Sequence, residues 1–294
     1  MSESPTTNHV SANRPLTLCI VGLGLMGASL ALAVRGRYQH IAGVTRREEV
    51  AREALARGIV DSASTSLQQG VAQADLIVLA TPVRTIIDQL HALAGSAPDN
   101  AIITDLGSTK SEIIQAMNQL PPRLRAVGSH PMCGKEVTGL DAADADLYRG
   151  KTWIVTRSAR SDDAALTVVQ TLAEDAGAVP LELEPAQHDM LVAFASHLPY
   201  ALAVALVTTA DQASLNDPAL WRVTASGFRD TSRVAASDVT MMLDILMTNA
   251  PAVTGAIRDF QFALDQLTAL IERKDEAGLR AYLAAAAQTR KAHF

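Results

Sequence analysis

From Leu16 to about Glu184, short runs of aliphatic and β-branched residues alternate with stretches whose apolar positions recur at helical spacing. LTLCIVG precedes a helical pattern from Leu25, IAGV precedes one through Arg57, and DLIVLAT precedes one opening after Pro82; AIITDL and RAVGSH continue the series. Nearly unbroken apolar strands interleaved with helices belong to a sheet covered on both faces, so the pattern predicts an α/β fold with a doubly wound parallel sheet. KTWIVT, a helical stretch over 161–176 and VPLELE are expected to extend that sheet. After Pro185 the strand signals stop, and an Ala- and Leu-rich remainder keeps helical period, which predicts an all-α second domain. The expected divisions are a disordered tail over 1–15, an α/β domain over 16–184 and a helical domain over 185–294, closely packed because no low-complexity linker intervenes.

Composition narrows the partners. A formal charge of −6 without any basic block excludes nucleic acid, since phosphate contacts need clustered Lys and Arg, and leaves small molecules as the ligands. The polar opening MSESPTTNHVSANRP lacks the apolar core of a signal peptide, and Cys19 and Cys133 are the only cysteines, so a reducing, cytoplasmic setting without disulfides is expected. Met190 to Ala210 has no charged residue over a membrane-spanning length, but Ser196, His197, Pro199 and Tyr200 interrupt it. Those groups are costly in hydrocarbon, so we read a buried helix packed against another subunit and no membrane.

Gly22, Gly24 and Gly27 spell GLGLMG, with Leu25 and Met26 inside it, directly after an apolar strand and before a helix. That context turns a common glycine pattern into the dinucleotide fingerprint of a Rossmann-type domain: tight turn, close backbone approach, and helix amides facing a pyrophosphate. The second strand ends in Thr45, Arg46 and Arg47, where an acid would bind both ribose hydroxyls and repel a 2′-phosphate. Without the acid, two guanidinium groups favour NADP over NAD; the alternative is that both arginines are solvated and Glu48 or Glu49 meets the ribose. Thr81 and Pro82, at the carboxyl end of the next long strand, are expected to border the nicotinamide half.

Two further strand ends carry chemistry, TDLGSTK over 104–110 and GSHPMCG over 128–134. Ser108 supplies a hydroxyl that donates and accepts, Lys110 caps or positions the turn, and His130 supplies a ring able to take a proton near neutral pH. In the helical part, Gln187-His188-Asp189 and Ser196-His197-Leu198-Pro199-Tyr200 lie on one apolar segment where polar side chains must find partners. His197 is either a satisfied core histidine or a substrate contact. SGFRDTSR over 226–233 offers Arg233 for a substrate carboxylate, with Arg229 and Asp230 as an ion pair beside it.

These five motifs, GLGLMGASLA, TDLGSTK, GSHPMCGKE, DMLVAFASHLPY and SGFRDTSRVA, resemble in sequence and order the prephenate/arogenate dehydrogenase family of tyrosine biosynthesis, over nearly the whole chain after residue 15. The resemblance implies an all-α domain that dimerises, and oxidative decarboxylation of a cyclohexadienol to a phenol with hydride transfer to NAD or NADP. Carried over by position, it makes His130 the base for the ring hydroxyl, Ser108 the residue that orients that hydroxyl, and Arg233 the carboxylate ligand. Glu136, Arg229 and Asp230 match a charged network at the site entrance. Tyr200 stands where many prephenate-specific members carry a second His, which leans the expected substrate toward arogenate.

Two rivals share the glycine motif. A β-hydroxyacid dehydrogenase or imine reductase also couples it to a helical domain, but the hydroxyacid group uses a helical-domain lysine, and beyond 151 only Lys274 and Lys291 remain, in charged or terminal stretches. A non-catalytic NADP-sensing module would have no need of His130, Ser108 and Arg233. Cys133 is read as a small loop residue and not as a nucleophile.

Overall fold

The computed structural model describes residues 16–135 and 137–293, so the tail expected over 1–15 and the candidate Glu136 lie outside the described residues. The chain divides into two compact units. The first comprises the described residues up to Asp189 together with Ser237–Thr248, and the second comprises Met190–Ala236 with Asn249 onward.

The first unit is built on an eight-stranded sheet of β1 (Thr17–Val21), β2 (His40–Val44), β3 (Ser62–Ser64), β4 (Leu76–Leu79), β5 (Ile102–Asp105), β6 (Arg125–Pro131), β7 (Thr152–Arg157) and β8 (Val179–Glu182), in the order 3-2-1-4-5-6-7-8. Its helices are α1 (Leu25–Ala33), α2 (Glu48–Ala56), α3 (Leu67–Val71), α4 (Val83–Leu93), α5 (Ser111–Asn118), α6 (Asp163–Asp175) and the start of α7 (Pro185–Val192). The unbroken apolar strands follow from burial on both faces. Leu18, Ile20, Leu76 and Val78 enter one core, while Cys19, Val21, Ile77 and Leu79, one residue out of phase, enter the other. Each such aliphatic side chain contributes roughly 1.5–3 kcal/mol on burial.

Strands β1 to β6 are parallel, as the alternating pattern predicts, but β7 runs antiparallel to β6. The cause lies in the connection. A parallel return needs a crossover, commonly a helix; the described residues between β6 and β7 hold only a short 3₁₀ turn at Leu140–Ala142, and part of them lies against α1, where the Asp144 amide donates to Ser29 Oγ (2.9 Å) and Tyr148 Oη donates to the Met26 carbonyl (2.6 Å). The chain therefore re-enters the sheet from the end at which it left.

The second unit holds α8 (Leu198–Ser214), α9 (Leu220–Val223), α10 (Ser226–Ser232), α12 (Ala250–Glu272) and α13 (Glu276–His293); α11 (Val239–Thr248) belongs to the first unit. There α11 is tied to α4 by the Arg84 amide on Asp244 Oδ2 (3.2 Å) and to the loop after β5 by Thr109 and Thr248 hydroxyls 2.8 Å apart. The expected boundary at 184/185 thus coincides with the start of α7, whereas the compact first unit runs on to Asp189 and takes α11 from the second half of the sequence.

Between α7 and α8, Ala193–His197 form a π-helical turn just before Pro199. Proline has no N–H to close an α-turn, and a widened turn absorbs that loss. Among the described residues, Pro185–Ser214 is one helix long and apolar enough to cross a membrane, yet its histidines are committed to protein partners, His188 to Asp189 and His197 to Asn249.

Candidate active site

The glycine loop leaves β1 at the sheet's topological switch point, between β2 on one side and β4 on the other. Gly22 has φ +104°, and a Cβ there would lie 2.5 Å from the Ala80 carbonyl oxygen; one on Gly27 would lie 1.9 Å from the Gly22 oxygen. These two glycines hold strand, loop and helix together. Gly24 is different: nothing stands within 4 Å of its would-be Cβ, and it opens α1 without a side-chain cap hydrogen bond. An open glycine at an uncapped helix start fits a pyrophosphate. Leu25 is buried beneath the loop, and the Met26 carbonyl is held by Tyr148.

Thr45 follows β2, its amide on the Ser64 carbonyl (3.1 Å), while Arg46 and Arg47 are exposed and form no ion pair among the described residues. Arg47 occupies the N-cap of α2 in extended geometry, and Glu48 and Glu49 lie exposed in the first turn. Thr81 donates its hydroxyl to Gln89 Oε1 (2.8 Å), and Pro82 caps α4.

Beside this cradle, the loop after β5 is held from beneath by a buried ion pair. The Lys110 ammonium contacts Asp105 Oδ2 and also donates to the Ser129 carbonyl (2.8 Å); both side chains are wholly buried. Asp105 further accepts from the amides of Gly107 (2.7 Å) and Ser129 (3.0 Å). Burial pushes the Lys110 ammonium below the usual lysine range, and the Asp105 charge opposes that shift. Lys110 therefore positions the turn, as expected, but as one half of an interior ion pair and not as a side-chain cap. Within that loop Ser108 is half-buried, and its hydroxyl makes no hydrogen bond to another described residue.

His130 lies in β6, only 9% exposed, and the adjoining Ser129 hydroxyl is locked onto the Asp105 carbonyl and Thr104 Oγ1. His130 Nδ1 is 2.8 Å from His188 Nε2, and His188 Nδ1 is 2.8 Å from Asp189 Oδ1. Asp189 in turn accepts from the amides of Lys110 (2.7 Å) and Ser111 (2.8 Å), capping α5. Burial lowers the basicity of His188, against the pull of its Asp189 hydrogen bond. Burial opposes ionisation of Asp189 too, yet hydrogen bonds from His188, Ser111 and Lys110 hold its carboxyl below the usual carboxylate range.

Sequence reading singled out Gln187-His188-Asp189 only as polar residues needing partners and did not join them to His130, 58 residues away. The available signal was an adjacent His-Asp pair in an apolar segment, which must be satisfied by something distant. In the second unit, His197 is buried on Asn249 (Nδ1 to Nδ2, 3.2 Å), Tyr200 is half-buried in α8, and Arg233 is exposed where α10 ends. The expected Arg229–Asp230 ion pair is absent among the described residues. Both side chains are exposed on α10, and successive helical residues point about 100° apart, so they do not face each other. Burial raises the Cys133 thiol to about 11 and the Cys19 thiol to about 12, which disfavours the thiolate form at either position.

Two family models cover most of the chain: the nucleotide-binding domain of prephenate dehydrogenase matches residues 28–182, and its dimerization domain matches 184–285. A prephenate dehydrogenase of Bacillus subtilis (strain 168) is 32% identical over 270 residues, spanning 90% of this chain and 73% of that protein. The crystal structure of prephenate dehydrogenase from A. aeolicus, in complex with hydroxyphenyl propionate and NAD+, superposes with a TM-score of 0.89 at 33% identity, over 96% of this chain and 99% of that one. Synechocystis arogenate dehydrogenase gives 0.82 at 30% identity, over 95% and 100%. Sequence, domain order and backbone agree along the same span, and the chain belongs to the prephenate dehydrogenase family.

Proposed function

We propose that this protein oxidises and decarboxylates arogenate or prephenate to tyrosine or 4-hydroxyphenylpyruvate, using a nicotinamide cofactor, with arogenate and NADP preferred. The observation that carries this reading is His130: a buried imidazole at the carboxyl end of a Rossmann strand, one ring nitrogen committed to His188, next to a loop that presents the Ser108 hydroxyl. His130 takes the proton from the ring hydroxyl, and Ser108 orients that hydroxyl. Arg233 grips a substrate carboxylate with its planar fork, while Arg229, Asp230, Glu136, His197 and Tyr200 supply the remaining polar surroundings. The bound nicotinamide would supply the hydride acceptor, and carbon dioxide leaves as the ring becomes aromatic.

Aromatisation drives the reaction, so the protein's task is orientation and exclusion of water, an effect of about 7–11 kcal/mol in well-aligned systems. General base catalysis by His130 adds on the order of a hundredfold or more. Exposed Arg46 and Arg47 beside Thr45 suit a 2′-phosphate, and Tyr200 in place of a second histidine supports arogenate. The second unit exposes Met190, Leu191, Phe194, Val204, Phe262 and Leu264, an apolar surface that supports a homodimer. Formation of reduced cofactor, followed by absorbance with both substrates crossed against NAD and NADP, tests the reading. The highest kcat/KM is expected with arogenate and NADP. Turnover of neither substrate with either cofactor would overturn it.

A further inference from the structure

The chain Asp189–His188–His130 determines which nitrogen of His130 is basic. An ionised carboxylate only accepts hydrogen bonds, so Asp189 requires the proton of His188 to sit on Nδ1. Neutral His188 then presents a bare lone pair at Nε2. His130 Nδ1 lies 2.8 Å from that lone pair and must itself carry a proton, which makes Nε2 the acceptor nitrogen of His130. Asp189 is immobilised by two backbone amides at the start of α5, the helix that follows the Ser108 loop, so one carboxylate sets the register of both the hydroxyl's loop and the imidazole.

We propose that His188, held by Asp189, is the positioning residue of the site: it locks His130 in the Nδ1–H tautomer, aims Nε2 as the base, and holds the Nδ1–H bond once Nε2 has taken a proton. This rests on the reading of His130 as base. The arrangement parallels an imidazole oriented by a carboxylate, with a second imidazole inserted between them. The charged and titratable groups facing His188 are Asp189 on its own helix, Lys110 before α5, Asp105 on β5 and His130 on β6. Lys110 and Asp105 neutralise each other, leaving Asp189 as the charge that governs the ring.

The test compares His188→Leu with His188→Gln in the full-length protein. Gln retains an acceptor for the His130 Nδ1 proton, and Leu does not. The Leu variant is expected to lose about a hundredfold or more in kcat, by analogy with the wrong-tautomer penalty of a catalytic triad, with KM and cofactor affinity little changed. The acid limb of its kcat/KM profile should move to lower pH, because the imidazolium of His130 loses its Nδ1–H acceptor. The Gln variant should recover most of kcat. Equal losses in both variants with an unmoved acid limb would mean that His188 is merely structural, and wild-type kcat in the Leu variant would remove it altogether. If the Leu variant does not fold, NMR of the imidazole nitrogens in the unmodified protein decides: His130 protonated at Nδ1 supports the proposal, and protonation at Nε2 alone overturns it. An inactive His130→Asn beside a fully active His188→Leu would discard the positioning role and leave the base in place. An active His130→Asn would discard the base reading itself.

Discussion

Removing the Lys110 ammonium should expose how much of the site rests on one buried charge. In Lys110→Met, Asp105 keeps the amides of Gly107 and Ser129 but loses the countercharge it pairs with, in a place with no solvent access. Stripping one partner from a buried pair costs about 3–5 kcal/mol, because the remaining charge is left uncompensated. At about 2–4 °C per kcal/mol for a unit of roughly this size, the melting temperature should fall by about 6–20 °C. Urea unfolding followed by circular dichroism at neutral pH measures the loss as a lower midpoint at unchanged slope. Adding Asp105→Asn removes the orphaned charge but leaves an acceptor for only one of the two amides, which reach different carboxylate oxygens, so the double variant should regain part of the stability and not all of it. A loss below about 1 kcal/mol in the single variant, the range of exposed pairs, would show that the two groups are not held as charges in the interior.

Three further outcomes follow from the same geometry. Thr45→Asp places a carboxylate where a 2′-phosphate is expected and should shift the kcat/KM ratio toward NAD; an unchanged ratio would locate the discrimination elsewhere. Gly24→Ala should leave the unfolding midpoint intact and weaken cofactor binding measured by titration calorimetry, whereas Gly27→Ala, whose methyl meets the Gly22 oxygen, should cost about 1–3 kcal/mol of stability as well. For pH, the folded-state pKa of His188 lies below its unfolded value, so the unfolded chain binds the extra proton first. Its contribution is fully present above about 6.5 and is lost as pH falls toward the folded value. Urea midpoints should decline in that window and do so less steeply in His188→Gln; equal slopes would contradict the burial of a neutral imidazole.

The parts legible in the sequence are those encoded locally. GLGLMG, the apolar runs of β1 and β4, and the strand ends carrying Ser108 and His130 each announce themselves within a few residues. Ser62–Ser64 did not, because a three-residue edge strand without an apolar pattern leaves no periodicity to read. The direction of β7 was hidden for a different reason: it depends on Asp144 and Tyr148 being tied to α1 through Ser29 and Met26, contacts more than a hundred positions apart in the sequence. Lys110 was readable as a turn residue but not as a buried charge, since burial is a property of what packs above it. His188 and Asp189 were visible as polar residues in apolar company, yet only the fold brings them to His130 and to the amides of α5. The membership of α11 in the first unit is likewise tertiary, resting on Asp244 and Thr248.

The most direct test of the account is the turnover of His130→Asn. A base that receives the ring-hydroxyl proton cannot be replaced by a neutral amide, so kcat with either substrate should fall by about a hundredfold or more, while the affinity for oxidised cofactor, measured by titration, stays at the wild-type value. Wild-type turnover in that variant, with cofactor still bound, would contradict the assignment of His130 as the base.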